Sequence, residues 1–399
     1  MFQYGFKMTQ SRLIIAILFT TIITLSSNEL LHGQDFEEYL RQQQAGLEEM
    51  QTAYQVGVLQ SVEAWEAYHE REIAAFESYK EEMERLWGEF KQRSQKDWVE
   101  YRDGGRVRAS VDFESGEGTV EIIAETPEEI EEATASILDE LLLTFNDVGS
   151  KREYPIENQE PEPISDEPIL ANQIDTSEAT IEEVAEEIVQ NVEIREVTGD
   201  DGINRSVIFV NFSLAPDHIQ TRARKVEHYV NEYAGSYEID PSLIFAIIHT
   251  ESYYNPAAKS WANALGLMQL VPTSGGRDAY RAVYNEDGVP SQDYLFIPEN
   301  NVRLGSAFID ILWSNYFRGV EDPLVRELLI ISAYNTGAGN VARAYTGNTN
   351  LRAALADINR LNRDQTFDFL VENLPYEETR DYLQKVTERR EMYRSWVAD

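Results

Sequence analysis

The sequence contains no cysteine among its 399 residues. That excludes disulfides, thiolate metal sites, cysteine nucleophiles and a lipid anchor on cysteine, so the chain is not expected to be a lipoprotein. Histidine is nearly as scarce: His32, His69, His218, His228 and His249 are the whole set. None stands in H-E-x-x-H spacing, so a histidine-built metal site is not expected. Basic residues are in deficit, with Lys+Arg 34 against Asp+Glu 71 and a formal charge of −37. Nucleic acid is held through Lys and Arg on phosphate, so that partner is excluded. Anionic lipid is an equally poor partner. No apolar run reaches the ~20 residues of a membrane-spanning helix.

What is present starts at the N-terminus. Lys7 and Arg12 precede an apolar stretch from Leu13 to Phe19 that resumes at Ile22 and Ile23. That is the layout of an export signal, with a cleavage point near Gly33. Residues 1–33 therefore read as a signal peptide or as an uncleaved N-terminal anchor. Either way the remaining chain is expected in the periplasm or cell envelope.

Residues 34–101 carry apolar and aromatic side chains at steps of three and four, among them Leu47, Met50, Tyr54, Trp65, Phe76, Tyr79, Met83, Leu86 and Phe90. The spacing predicts one long helix from residue 36 to about 101. A stripe of that length needs a covering surface, so a coiled coil or a dock is implied. Self-association or a cell-envelope protein would supply it.

Residues 102–215 read as a small α+β domain. Val107, Ala109, Val111 and Phe113 alternate with other residues, Ser115 to Gly118 turns the chain, and Val120, Ile122 and Ala124 return. Thr126 and Pro127 open a helix as N-cap and first helical residue. Residues 150–175 are rich in Pro and Glu and predict a linker without a core. A short helix around Ile181, Val184 and Ile188 and a strand from Val207 to Leu214 follow. From Pro216 to Asp399 there are 18 basic and 25 acidic residues, so most of the acidity lies before it.

The chemistry concentrates after Pro216. Asp240 caps a helix that Pro241 starts, and Leu243 to Ile248 is apolar on every side. Glu251 then sits at the C-terminal end of a buried helix. Burial and the helix dipole both favour its protonated form, and burial dominates because the dipole is worth only about 0.3–1 kcal/mol. A carboxyl that stays protonated near neutral pH is a general acid.

Four segments around it fall in one register: Glu251-Ser252-Tyr253-Tyr254-Asn255-Pro256, Ala264-Leu265-Gly266-Leu267-Met268-Gln269, Ala333-Tyr334-Asn335-Thr336-Gly337 and Glu378-Thr379-Arg380-Asp381-Tyr382. Together they resemble the lytic murein transglycosylase family, which has a goose-type lysozyme-like fold. Leu86-Trp87-Gly88, Tyr101, the hairpin from Arg106 to Ile123 and Leu214-Ala215-Pro216-Asp217-His218 resemble the N-terminal domain of the membrane-bound C group of that family. Two positions depart from the pattern. Asn335-Thr336-Gly337 is less glycine-rich than is usual, and Ile297 stands where an Asp is common before Pro298.

The resemblance implies a mostly α fold. A C-terminal lysozyme-like α domain over 216–399 would follow the small α+β domain and the long N-terminal helix. It implies cleavage of the bond between N-acetylmuramic acid and N-acetylglucosamine in peptidoglycan glycan strands, with a 1,6-anhydro end and no cofactor. Glu251 would act as acid and then as base. Ser252 would position Glu251 or a substrate acetamido group. Gly266, Leu267, Met268 and Gln269 would form one wall of the cleft, Tyr334 and Asn335 the other, and Tyr382 would bond near the acid. No second carboxylate belongs to these roles, although Asp278 and Glu286 could approach. A hydrolytic muramidase and a non-catalytic glycan-binding scaffold remain the competing readings.

Overall fold

The computed structural model describes residues 71, 73–151, 154, 162–260 and 262–397. The export segment and residues 34–70 of the long helix lie outside these. Residues 75–399 form one compact unit, and everything below concerns it.

The long helix is shorter than its apolar stripe suggests. Residues 75–87 are helical (α1), then the chain turns, and residues 97–101 are not helical at all. The stop is Gly88, whose backbone sits at φ +69° against Thr198 O, where a side chain has no room. The apolar residues beyond it serve a sheet instead. Strand β1 (Asp97–Arg102) pairs antiparallel with β2 (Val107–Asp112), and β2 pairs with β3 (Glu117–Ala124). The β2–β3 register sets Ala109 opposite Val120 and Val107 opposite Ile122. Helix α2 (Pro127–Phe145) follows, with the Thr126 side chain accepting from the Glu129 N–H. Helix α3 (Ile181–Ile188) opens with a reciprocal Thr180–Glu183 capping box. Strands β4 (Glu193–Thr198) and β5 (Asn204–Ser213) complete a five-stranded antiparallel sheet in the order β1-β2-β3-β5-β4.

Alternation sorts this sheet's side chains to two faces. Val111, Phe113, Val120, Ile208 and Phe212 join Ile137, Leu141 and Phe145 of α2 in one core. Ile123 and Val207 meet Met83, Leu86 and Trp87 of α1 in another. The stretch read as a coreless linker contributes to the first: Ile164, Ile169, Leu170 and Ile174 are buried there. The chain turns between Pro168 and Gln173, with Ala171 N–H donating to Pro168 O and Gln173 N–H to Leu170 O, and these apolar residues pack into the sheet core.

The remainder is helical. Helices α4 (His218–Tyr237), α5 (Pro241–Ser252), α6 (Gly275–Tyr284) and α7 (Pro298–Ile311) come first. Then come α8 (Pro323–Thr336), α9 (Ala338–Thr346), α10 (Leu351–Ile358), α11 (Arg363–Asn373) and α12 (Glu377–Val397). Helix α5 is the axis of this region. Leu243 to Ile248 are buried within one cluster to which α4, α7, α8 and α12 all contribute. Asp240 caps it, accepting from the Ser242 N–H at 3.0 Å, and its other oxygen takes Arg390 of α12 at 2.9 Å.

Candidate active site

The packing of α5 carries Glu251 to the end of a dry helix. Glu251 is 8% exposed. Burial pushes its carboxyl up to about 8; the nearby Tyr382 hydroxyl opposes the rise and the Glu378 carboxylate adds to it. At neutral pH the acid form therefore predominates. After Ser252 the chain bends sharply away: Tyr253 has φ +50° and Tyr254 φ +62°.

The loop from Leu265 to Gln269 meets the end of α5. Gly266 sits at φ +74°, and a Cβ there would lie 2.3 Å from Asn301 Nδ2. Leu267 and Met268 are buried, so they contribute backbone and packing. Gln269 Nε2 donates to Ala258 O at 3.0 Å and Gly266 O at 2.9 Å, while its Oε1 is buried without a partner. Ser252 is fully buried, and its hydroxyl donates to Leu267 O at 2.8 Å and Ile248 O at 3.1 Å. It thereby ties the helix end to the loop and bonds neither to the Glu251 carboxyl nor to open space.

Helices α8 and α12 supply further neighbours. The Tyr334 hydroxyl donates to Met268 O at 2.8 Å, which joins α8 to the loop. Burial raises the Tyr334 hydroxyl well above its usual range and an ionised Glu251 would add to the rise, so the two lie in one neighbourhood. Asn335 Oδ1 accepts from the Thr379 hydroxyl at 2.7 Å. The Tyr382 hydroxyl is buried, lies near the Glu251 carboxyl and has no hydrogen-bond partner of ordinary geometry.

The structure thus brings Glu251, Met268, Tyr334 and Tyr382 together, with Ser252, Gly266, Leu267 and Gln269 framing the loop beside them. Asp278 and Glu286 contribute nothing to the electrostatics of Glu251; the carboxylate that does is Glu378. Sequence reasoning placed Glu378 in a motif without giving it a task. It passed over Asn301 altogether. Asn301 is fully buried, accepts from Met268 N–H at 2.7 Å and donates to Leu265 O and Leu295 O at 2.9 and 2.8 Å. An amide in the first turn of α7 was the available signal, since only a side chain with both donor and acceptor can hold a loop from both sides.

Comparison with known proteins gives the family of the chain. The transglycosylase SLT domain model matches residues 228–355, and the model for the N-terminal domain of membrane-bound lytic murein transglycosylase C matches residues 67–225. Two such models in tandem make the chain a peptidoglycan lytic transglycosylase. Among curated relatives, membrane-bound lytic murein transglycosylase C of Actinobacillus succinogenes is 33% identical over 294 residues, 72% of this chain and 78% of that one. The protein of that name from Sodalis glossinidius is 36% identical over 296 residues, 72% and 79% of the two chains. The chain belongs to the membrane-bound lytic murein transglycosylase C family. Solved structures similar to it include an inactive mutant of lytic transglycosylase Slt from Pseudomonas aeruginosa, 27% identical over 43% of this chain and 24% of that chain, TM-score 0.33. Another is the 70-kDa soluble lytic transglycosylase in complex with bulgecin A, 25% identical over 46% of this chain and 26% of that chain, TM-score 0.35.

Proposed function

We propose that Glu251 alone serves as acid and then base in cleaving the N-acetylmuramic acid to N-acetylglucosamine bond. Its proton goes to the glycosidic oxygen as the bond to the anomeric carbon breaks. The carboxylate left behind takes the proton of the muramoyl C6 hydroxyl. That oxygen closes on the anomeric carbon, giving a 1,6-anhydro end with no water consumed. The observation that carries this reading is the burial of Glu251, which holds its pKa at about 8 and keeps it protonated where the reaction starts.

The other residues take supporting parts. The Tyr382 hydroxyl beside Glu251 donates to it once it ionises, stabilising the carboxylate that must act as base. Gln269 Oε1 is an acceptor awaiting a sugar hydroxyl or acetamido N–H. The Asn335 amide nitrogen, which has no protein partner among the described residues, donates to an acetamido carbonyl. Ser252, Gly266, Leu267, Met268 and Tyr334 fix the wall.

Glu378 favours a second reading. A carboxylate close enough to raise the pKa of Glu251 is a candidate base for water, and water would give hydrolysis as in a muramidase. Digesting purified sacculi and weighing the muropeptides separates the readings: anhydro ends support the first, reducing ends the second, and uncut glycan a binding scaffold.

The cell envelope is the proposed location, from the export signal read at residues 1–33 and from the membrane-bound relatives. Among the described residues no helix is long and apolar enough to cross a membrane. Self-association or an envelope partner, through the part of the 36–101 stripe that precedes residue 75, belongs to the same proposal.

A further inference from the structure

Two positions beyond Glu251 begin two consecutive tyrosines in left-handed backbone, Tyr253 at φ +50° and Tyr254 at φ +62°. Such conformations favour glycine, and side-chain-bearing residues hold them only where the surroundings over-determine the geometry. What determines it here ties the helical region to the sheet. Arg222 of α4 is buried, and its Nε donates to Tyr253 O at 2.9 Å. The same guanidinium donates to Phe113 O at 2.9 Å and to Gln173 Oε1 at 2.7 Å, and it lies 4.4 Å over the Phe113 ring. The Tyr253 hydroxyl donates to Glu114 Oε1 at 2.7 Å. From the other side, Arg389 of α12 donates to the Tyr253 hydroxyl at 3.2 Å and to His249 O at 3.1 Å, with its guanidinium 4.9 Å from the Tyr253 ring.

Phe113 and Glu114 are the tip of the β2–β3 hairpin, and Lys96 beside β1 pairs with Glu114 at 2.9 Å. The hairpin tip therefore grips the residue that ends α5, two positions after the acid. We infer that the five-stranded sheet is part of the catalytic apparatus: through Glu114 and Tyr253 it sets the position of Glu251, and both act as positioning residues. A carboxyl that must first protonate one oxygen and then take a proton from another has little tolerance for displacement. A misplacement of about 1 Å costs on the order of 10²-fold in rate. This inference rests on Glu251 being the acid.

The experiment uses the full chain with soluble glycan strands and separates kcat from KM. Tyr253→Phe keeps the ring and its stacking but loses the hydroxyl. Glu114→Ala loses the other end of the same bond, and Glu114→Gln keeps an acceptor. The expected result is a kcat lowered about tenfold by either Tyr253→Phe or Glu114→Ala, an order of magnitude short of the loss from full misplacement, with KM unchanged. The double variant should fall no further, and Glu114→Gln should recover most of the rate. A melting temperature that drops while kcat stays within twofold of the parent overturns the inference, and so do losses that multiply in the double variant. Glu251→Gln is assayed in parallel. If it keeps its activity, the assignment of the acid fails and the inference falls with it. If it is inactive while Tyr253→Phe is unaffected, only the hairpin's role is rejected.

Discussion

Asn301 holds Met268 from behind: the Met268 N–H donates to Asn301 Oδ1 at 2.7 Å, while Asn301 Nδ2 binds the carbonyls of Leu265 and Leu295. Three hydrogen bonds converge on a side chain with no exposure. Replacing it with alanine would strand the buried Met268 N–H and the Leu295 carbonyl, while the Leu265 carbonyl would keep the Leu270 N–H. Each such group costs about 1–3 kcal/mol, so Asn301→Ala should lose on the order of 3 kcal/mol or more. Chemical denaturation measures that directly. Because Tyr334 rests on Met268 O, the glycan affinity of the surviving folded fraction should fall as well.

Gly266 makes the matching demand on the same loop. Its φ of +74° lies in left-handed space, and a Cβ would approach Asn301 Nδ2 to 2.3 Å and Leu295 O to 2.4 Å. One neighbour is backbone and the other is a side chain already bonded on both ends, so neither yields. Gly266→Ala should therefore destabilise by about 2 kcal/mol or more and lower kcat along with it. Gly337 provides the control. It has φ +83° and ψ 147°, backbone that glycine alone adopts readily, but open space where a Cβ would stand, so alanine there should cost backbone strain alone, about 1–3 kcal/mol.

Much of this site was legible before any coordinates. Asp240 and Pro241 announce the start of α5, and the unbroken apolar run after them announces its burial, which is what raises the pKa of Glu251. The β2–β3 hairpin was legible from alternation. Strand β4 was not, because it is an edge strand whose residues are nearly all exposed and show no apolar alternation. Residues 97–101 were misread as helix because aromatic spacing alone fits both periods, and the deciding contact, Gly88 against Thr198, joins residues far apart in sequence. Gln173 and Ile164 seemed linker residues for the same reason, since their partners lie in elements that composition cannot pair with them. Asn301 and Glu114 act through partners 33 and 139 residues away, a relationship that local pattern does not encode.

Tyr382 and Glu378 act on Glu251 with opposite sign, which gives a paired test. The Tyr382 hydroxyl favours the ionised carboxyl; the Glu378 carboxylate disfavours it. Tyr382→Phe should move the alkaline limb of the kcat/KM pH profile upward, and Glu378→Gln should move it downward. At pH 8, close to the pKa of Glu251, Glu378→Gln should lose activity because less of the acid remains protonated. If Glu378 served instead as a base for water, its loss would abolish reducing-end products at every pH rather than shift the limb.

The raised pKa of Glu251 also makes a stability prediction. In the unfolded chain a Glu carboxyl titrates near 4.3, whereas in the folded protein Glu251 titrates at about 8. Below pH 4 both states hold the proton and the group is neutral toward folding. As pH rises from there, the unfolded state ionises while the folded state retains its proton, so the folded state is progressively disfavoured until pH passes 8. The limit of that penalty is about 5 kcal/mol, set by 1.36 kcal/mol per pKa unit, and any water reaching the carboxyl reduces it. Glu251→Gln keeps the shape and cannot ionise, so it should remove the penalty. The variant should match the parent in melting temperature near pH 4, exceed it increasingly toward pH 8, and be inactive throughout, with a rate loss on the order of 10²–10⁴-fold or greater. A stability gap between the two that does not change across this pH range would show that Glu251 is already ionised at neutral pH, and would falsify its assignment as the acid.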